Sequence, residues 1–269
     1  MKLDTFFARH PIFRVEELTE YLFTQGSINP STRKALLAHH QESGRILRIR
    51  RGLYATVPLG IPAVSFSVDP HLLAGKITDD AILGYHTSLE AHGRAYTIYE
   101  QFTYLTKRSL GRSFQFQGTT YQGVSHPKAL RNAGQEELYV EVQDRSGLDV
   151  KVTNLERSMV DVLDRPKLSG SWEEIWRSLE SIEFLDLDKV VKYVTALENA
   201  TTAAKVGFYL EQHRDSLMVS DEYLDRIKTL RPKSPHYMDR DYQDDGQLLA
   251  DWNLIVPADV LQKTWEEIR

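Results

Sequence analysis

The segment that decides the fold is residues 27–58, SINPSTRKALLAHHQESGRILRIRRGLYATVP. Asn29-Pro30 predicts the start of a helix, because asparagine can cap free backbone N–H groups and proline is tolerated at the first helical position. That helix is expected to run to Gly44. Two β-prone runs follow at residues 46–50 and 53–57, and the Arg51-Gly52 turn between them predicts a β-hairpin.

Two further helices are expected upstream of this segment. A short apolar face is formed by Leu3, Phe6 and Phe7, and helical spacing relates Val15, Leu18, Tyr21 and Leu22. Gly26 is expected to end the second helix, because glycine accepts positive φ. The order helix, helix, helix, hairpin predicts a winged helix-turn-helix, a fold in which a helix enters the major groove of DNA and the hairpin follows the neighbouring backbone.

The residues predicted to contact DNA are small, hydroxyl-bearing or cationic, and they are Ser31, Thr32, Arg33, Lys34 and Ala38 on the third helix and Arg45, Arg48, Arg50 and Arg51 on the hairpin. Helical periodicity places Leu36, Leu37 and His40 inward. Strand alternation predicts one face with Leu47 and Ile49 and an opposite face with Arg48 and Arg50. The alternative is that these arginines only solvate the edge of a hairpin.

Charge is distributed unevenly along the chain. Residues 1–60 contain nine Lys and Arg against five Asp and Glu, whereas the whole chain of 269 residues has a formal net charge of −5. Residues 1–60 thus carry a net charge of +4, and residues 61–269 carry the remaining −9. A basic N-terminal part joined to an acidic larger part indicates that only the first meets a polyanion.

The breaker-rich stretch Pro58, Gly60 and Pro62 predicts a linker. We expect a DNA-binding domain at residues 1–58 and a second domain at residues 63–269, with a mixed sheet and helices at 63–153 and mostly helices at 154–269. The predicted fold class is therefore α+β, with a winged helix-turn-helix followed by a mixed α/β domain whose C-terminal part is mostly helical.

The chain has no cysteine, which excludes disulfides, thiolate nucleophiles and cysteine-ligated metals and fits a reducing compartment. Its apolar stretches are far shorter than the roughly 20 residues that a membrane helix needs. The first residues have no apolar core of signal-peptide length. We therefore expect a cytoplasmic protein without a membrane association.

Four landmarks along the chain resemble the AbiEi family of antitoxins. They are Gly44 with the basic strand and Arg51-Gly52-Leu53-Tyr54, then YHTSLEAHG at residues 85–93, VKVTNLERSMVD at residues 150–161, and Gly207 with Tyr209-Leu210-Glu211. Their order and spacing cover about residues 26–214, and residues 215–269 match only loosely.

The resemblance implies the antitoxin of a type IV toxin–antitoxin pair, an abortive-infection system. Such a protein represses its own operon by binding inverted repeats in promoter DNA. It also counters a nucleotidyltransferase-like toxin, without forming a stable complex with it. The family contains plain regulators too, so a stand-alone winged-helix transcriptional regulator without a toxin is the alternative.

Enzyme motifs are weak in this sequence. Asp149-Val150-Lys151, with Asp144 or Glu141, is faintly similar to a restriction-type, metal-dependent nuclease, but a convincing third acid is missing. Asp241, Gln243, Asp245 and Gly246 resemble the front of a calcium loop, but its twelfth position is Trp252 rather than glutamate. We therefore expect no catalytic residues, no metal and no cofactor.

Overall fold

The structure is a computed structural model that describes residues 3–26, 29–108, 111–241 and 246–266. The chain forms two compact units. The first contains Met1–Leu83, Glu100–Gly123 and Val142–Lys151, and the second contains Gly84–Tyr99, Val124–Glu141 and Val152–Arg269. Helices and several sheets are both present, in agreement with the α+β class. The division predicted at residues 58–63 stays a prediction.

The helices of the described residues are α1 (Asp4–Arg9), α2 (Val15–Thr24), α3 (Pro30–Glu42), α4 (Pro70–Lys76), α5 (His86–Ala91), α6 (Lys128–Ala133), α7 (Leu155–Asp164), α8 (Trp172–Glu180), α9 (Leu187–Leu197), α10 (Ala200–Gln212), α11 (Asp221–Lys228) and α12 (Ala258–Gln262). Short 3₁₀ turns are at Ala63–Ser65, Pro166–Leu168 and Thr264–Glu266.

The strands are β1 (Ile12–Arg14), β2 (Ile46–Arg50), β3 (Leu53–Thr56), β4 (Ile82–Leu83), β5 (Gln101–Thr106), β6 (Phe114–Phe116), β7 (Thr119–Ser125), β8 (Val140–Arg145), β9 (Leu148–Thr153), β10 (His236–Tyr237), β11 (Gly246–Leu249) and β12 (Leu254–Pro257).

The N-terminal part has the expected three helices and hairpin, together with one strand, β1, that was not predicted from the sequence. β1 pairs with β3 in antiparallel fashion, with Phe13 opposite Tyr54, so the sheet order is β1-β3-β2. A three-residue strand is too short to show a period of two, which is why it escaped detection. The helices and the sheet enclose a core that includes Phe6, Phe7 and Leu18.

Most strand residues of a six-stranded sheet, ordered β6-β7-β5-β4-β9-β8, belong to the first unit. Helix α4 packs closely on this sheet. A Cβ atom at Gly75 would lie 2.8 Å from Cγ1 of Val150, so only glycine allows this approach. Asp69 caps α4, because its side chain accepts a hydrogen bond from the backbone N–H of Leu72 at 3.1 Å.

The second unit is mostly helical. Helices α7 to α11 enclose an apolar core in which Trp176 and Trp252 are fully buried. The short strand β12 pairs in parallel with β10 and in antiparallel fashion with β11. Gln243 and Asp245 of the considered calcium loop lie outside the described residues.

No helix within the described ranges has both the length and the apolar character needed to cross a membrane.

Candidate nucleic-acid interface

Helix α3 has one inward and one outward face, as predicted. Leu36 and Leu37 pack against the N-terminal core, and the His40 ring meets Phe7 edge-on at 4.9 Å between centroids. Burial lowers the pKa of His40, and the neighbouring His39 lowers it further. His40 is therefore a packing residue of this domain.

The outward face of α3 carries four of the predicted contact residues, all exposed, and they are Ser31, Thr32, Lys34 and Ala38. Its start is locally determined, since the Asn29 side chain accepts a hydrogen bond from the backbone N–H of Ser31 at 2.9 Å. Arg33 differs from the other predicted contacts of the helix. It is half-buried, and its Nη1 donates to Oγ1 of Thr19 at 2.8 Å, which ties α3 to α2.

The predicted alternation of side chains along the first hairpin strand is wrong. An irregularity between Arg48 and Arg50 leaves Ile49 without a partner across the ladder. Because a bulge of this kind shifts the side-chain period by one residue, Ile46 and Ile49 are both buried and Leu47 is half-buried. Arg48 and Arg50 therefore do not share one exposed face.

The four hairpin arginines divide into two pairs. Arg48 and Arg51 are exposed. Arg45 is half-buried, donates to the carbonyl oxygen of Val57 and lies 5.5 Å from the ring centroid of Phe7.

Arg50 is also half-buried. Its Nη2 donates to the carbonyl oxygen of Ile77 at 2.7 Å, and its guanidinium lies 5.2 Å from the ring centroid of Phe114. Arg45 and Arg50 thus hold the hairpin in place, whereas the exposed cations among the predicted contacts are Lys34, Arg48 and Arg51.

Charge differs between the two compact units. The first contains 15 Lys and Arg against 11 Asp and Glu, and the second contains 18 against 27. The unit with the exposed cations of α3 and the hairpin is therefore the one with the positive balance, which favours contact with a polyanion.

The residues considered for a nuclease do not converge. Asp144 and Asp149 are exposed, Val150 is buried and Lys151 is half-buried on β9. Across the described ranges, no three His, Cys, Asp or Glu side chains are grouped so that they could hold a metal ion.

Two of the landmarks meet in the second unit. Ser88 on α5 donates to Oγ of Ser158 on α7 at 2.8 Å. On the same α7, fully buried Arg157 pairs with fully buried Asp161 at 3.2 Å, and its Nη1 donates to the carbonyl oxygen of Leu138 at 2.7 Å.

Tyr193 of α9 completes this network, because its hydroxyl donates to Oδ1 of Asp161 at 2.7 Å. Burial raises the pKa of Tyr193 well above its usual value, so the hydroxyl keeps its proton. The spacing of Arg157 and Asp161 is a sequence signal for an i,i+4 pair, but the tyrosine had none.

The comparisons with known proteins agree with the resemblance. Residues 1–57 match the family model described as "Transcriptional regulator, AbiEi antitoxin", so the recognition of this family is confirmed over that segment. The matching region contains α1 to α3 and the hairpin. The match shows that this N-terminal segment is similar to regulators of this kind.

Over its whole length, the chain is similar in fold to the RV2827C protein from Mycobacterium tuberculosis. The crystal structure of that protein superposes with a TM-score of 0.57 and 14% sequence identity, over 98% of this chain and 94% of that chain. No curated protein sequence matches the chain.

Proposed function

We propose that the protein is a DNA-binding transcriptional autorepressor and the antitoxin of a type IV toxin–antitoxin pair. It binds inverted repeats in its own promoter through a winged helix-turn-helix at the N-terminus, and it counters a nucleotidyltransferase-like toxin. The observation that carries DNA binding is the exposure of Lys34, Arg48 and Arg51 on the helix and hairpin of the segment that matches the family model. Promoter binding would place the protein in the cytoplasm.

Within this proposal the contact residues have different tasks. Ser31, Thr32 and Ala38 allow α3 to approach the bases and phosphates closely, because they are small. Lys34, Arg48 and Arg51 neutralise phosphates, and contacts of this kind position a protein on DNA without reading its sequence. Arg33, Arg45 and Arg50 support these contacts by fixing α3 and the hairpin.

The test is a mobility-shift titration of the full chain on its promoter fragment at several salt concentrations. Each phosphate contact contributes a slope of about −0.9 to log K against log [salt]. Arg48→Ala and Arg51→Ala should each weaken binding by about 10- to 150-fold, since a hydrogen bond to a charged group contributes about 1.5–3 kcal/mol. Each should also reduce the slope by about 0.9. Their melting temperatures should not change.

Arg50→Ala is the matched control. This substitution should lower the melting temperature, because it removes the hydrogen bond that the Arg50 guanidinium donates to the carbonyl oxygen of Ile77. If the wild-type chain does not shift the promoter fragment at low salt, the DNA-binding proposal is wrong.

A stand-alone regulator without a toxin is the second candidate. The observation in its favour is that the family model matches only residues 1–57, the DNA-binding part. Growth rescue decides between the two. The full chain, expressed from a foreign promoter, should restore growth to cells that express the proposed nucleotidyltransferase-like toxin. Absence of rescue, with promoter binding intact, would favour the stand-alone regulator.

We infer that the protein performs both tasks without catalysis. Asp149 and Lys151 of the considered nuclease motif stand on β9 without a grouped set of acids among the residues that the structure describes. Duplex DNA incubated with Mg²⁺ or Mn²⁺ should be cleaved no faster by wild type than by Lys151→Ala. Cleavage that Asp149→Ala abolishes would establish the nuclease instead.

A further inference from the structure

The connection between β5 and β6 carries further cations of the first unit. Strand β5 ends at Thr106 and β6 begins at Phe114, and the residues between them include three cations and no acid. We refer to these as the β5–β6 cations; they are Lys107, Arg108 and Arg112, and all three are exposed. They lie outside residues 1–57, the segment that matches the family model.

Contacts hold both ends of this connection beside the hairpin. At its far end, the Phe114 ring centroid lies 5.2 Å from the guanidinium of Arg50, whose Nη2 donates to the carbonyl oxygen of Ile77. At its near end, the backbone N–H of Lys107 donates at 2.7 Å to Asp80, which follows Ile77 closely in the chain. The connection therefore begins and ends next to residues that Arg50 contacts.

These contacts lie at the end of the hairpin where the chain turns. Leu53 follows the turn and pairs with Arg50 on one side and with Arg14 on the other. A hydrogen bond from Arg108 lowers the pKa of Asp79, and the charge of Arg14 lowers it further. Arg14, Arg50 and Arg108 are therefore neighbours, and the β5–β6 cations lie close to the hairpin turn.

Cations outnumber acids on this surface. The seven cations are Arg14, Arg48, Arg50, Arg51 and the three β5–β6 cations. The acids that act on them are Glu16, Asp79 and Asp80, and the neighbouring pair of Lys76 with Glu17 is neutral.

The nearby acids are also occupied already. Asp79 pairs with Arg108, and Asp80 accepts hydrogen bonds from the Thr106 hydroxyl and the backbone N–H of residue 107. Within the part of the chain that the structure describes, no ion pair involves Arg112. Like charges that stand together without acids repel one another, and a polyanion relieves that repulsion.

We propose that Lys107 and Arg112 bind phosphates of the duplex on which the hairpin docks, an inference that rests on the proposed DNA binding. Arg108 has a different task, because Asp79 occupies its guanidinium. Two additional phosphate contacts strengthen binding to every sequence alike, since such contacts carry no sequence information. The DNA-binding surface then extends from α3 and the hairpin to the connection between β5 and β6.

The test is a mobility-shift titration of the full chain on the promoter fragment and on an unrelated duplex of equal length. Each phosphate contact contributes a slope of about −0.9, so Lys107→Ala with Arg112→Ala should reduce the slope of log K against log [salt] by about 1.8. Raising the salt from about 50 to 200 mM should therefore weaken the wild type about 12-fold more than the variant. The change should be the same on both duplexes.

Lys128→Ala with Arg131→Ala is the matched control. It removes two exposed cations of the second unit, so the net charge of the chain changes by the same amount. This control should keep the wild-type slope. The charge-preserving pair Lys107→Arg with Arg112→Lys should also keep the slope, together with the wild-type melting temperature.

The outcomes separate this inference from the proposed function. A slope in the alanine variant equal to that of the control would overturn the additional contacts and leave DNA binding by the hairpin intact. Absence of binding by the wild type would overturn both. Loss of slope in the charge-preserving pair as well, with a lower melting temperature, would show that the two residues brace the hairpin instead of binding phosphates.

Discussion

Substitution of Gly207 by alanine should destabilise the second unit through a clash with Trp252. Gly207 lies in the middle of α10, and the indole packs directly against its Cα. A Cβ atom built there would overlap Cζ3 and Cη2 of the ring and would lie 2.6 Å from Cε3. The ring is fully buried and its Nε1 donates to Glu211 at 2.7 Å, so it has little room to move aside.

The magnitude follows from two opposing effects. Overpacking of a filled core costs about 1–3 kcal/mol, and overlap with three ring atoms belongs near the upper end. Alanine regains about 1 kcal/mol relative to glycine through helix propensity. A net loss of about 2 kcal/mol remains, which lowers the melting temperature of a unit of this size by about 4–8 °C.

The assay is thermal unfolding followed by tryptophan fluorescence. All four tryptophans of the chain belong to the second unit, so the signal reports on that unit alone. The penalty should shrink in a Trp252→Phe background, which removes the overlapping ring. An unchanged melting temperature in Gly207→Ala, or strict additivity in the double variant, would refute this account.

Two further changes probe buried polar groups of the second unit. Tyr193→Phe should lower the free energy of unfolding in urea by about 1–3 kcal/mol, because it removes the hydroxyl that donates to buried Asp161. The control Tyr223→Phe removes an exposed hydrogen bond and should lower it by less than about 0.5 kcal/mol. Equal losses would contradict the buried network. Burial lowers the pKa of Lys205 to about 8 from 10.5. Between these two values the unfolded chain binds more protons than the folded one, so this residue's destabilising contribution shrinks as pH rises through the window. Denaturant titrations from pH 7.5 to 10 should show wild type gaining stability relative to Lys205→Met, and a difference that stays constant with pH would speak against the shift.

Much of the N-terminal fold could be predicted because the responsible interactions are local. Asn29 starts α3 by accepting a hydrogen bond from the backbone N–H of Ser31, two residues on, and Gly52 adopts φ +81° in the predicted hairpin turn. The helical period placed Leu36 and Leu37 inward without knowledge of any distant partner. For the same reason the family resemblance was recognisable, since it rests on short motifs that each form one local structure.

The roles of individual side chains depended instead on residues far away in the chain. Arg50 resembles Arg48 in every local respect, yet Ile77, 27 positions downstream, engages Arg50 and leaves Arg48 exposed. The backbone N–H of Thr97 likewise depends on a distant residue, because it donates at 3.0 Å to Glu174, which α8 supplies 77 positions downstream. Local sequence determines where elements begin, end and turn, since those choices concern neighbouring backbone groups. Tertiary structure decided which charges face solvent, because burial is a property of the whole folded chain.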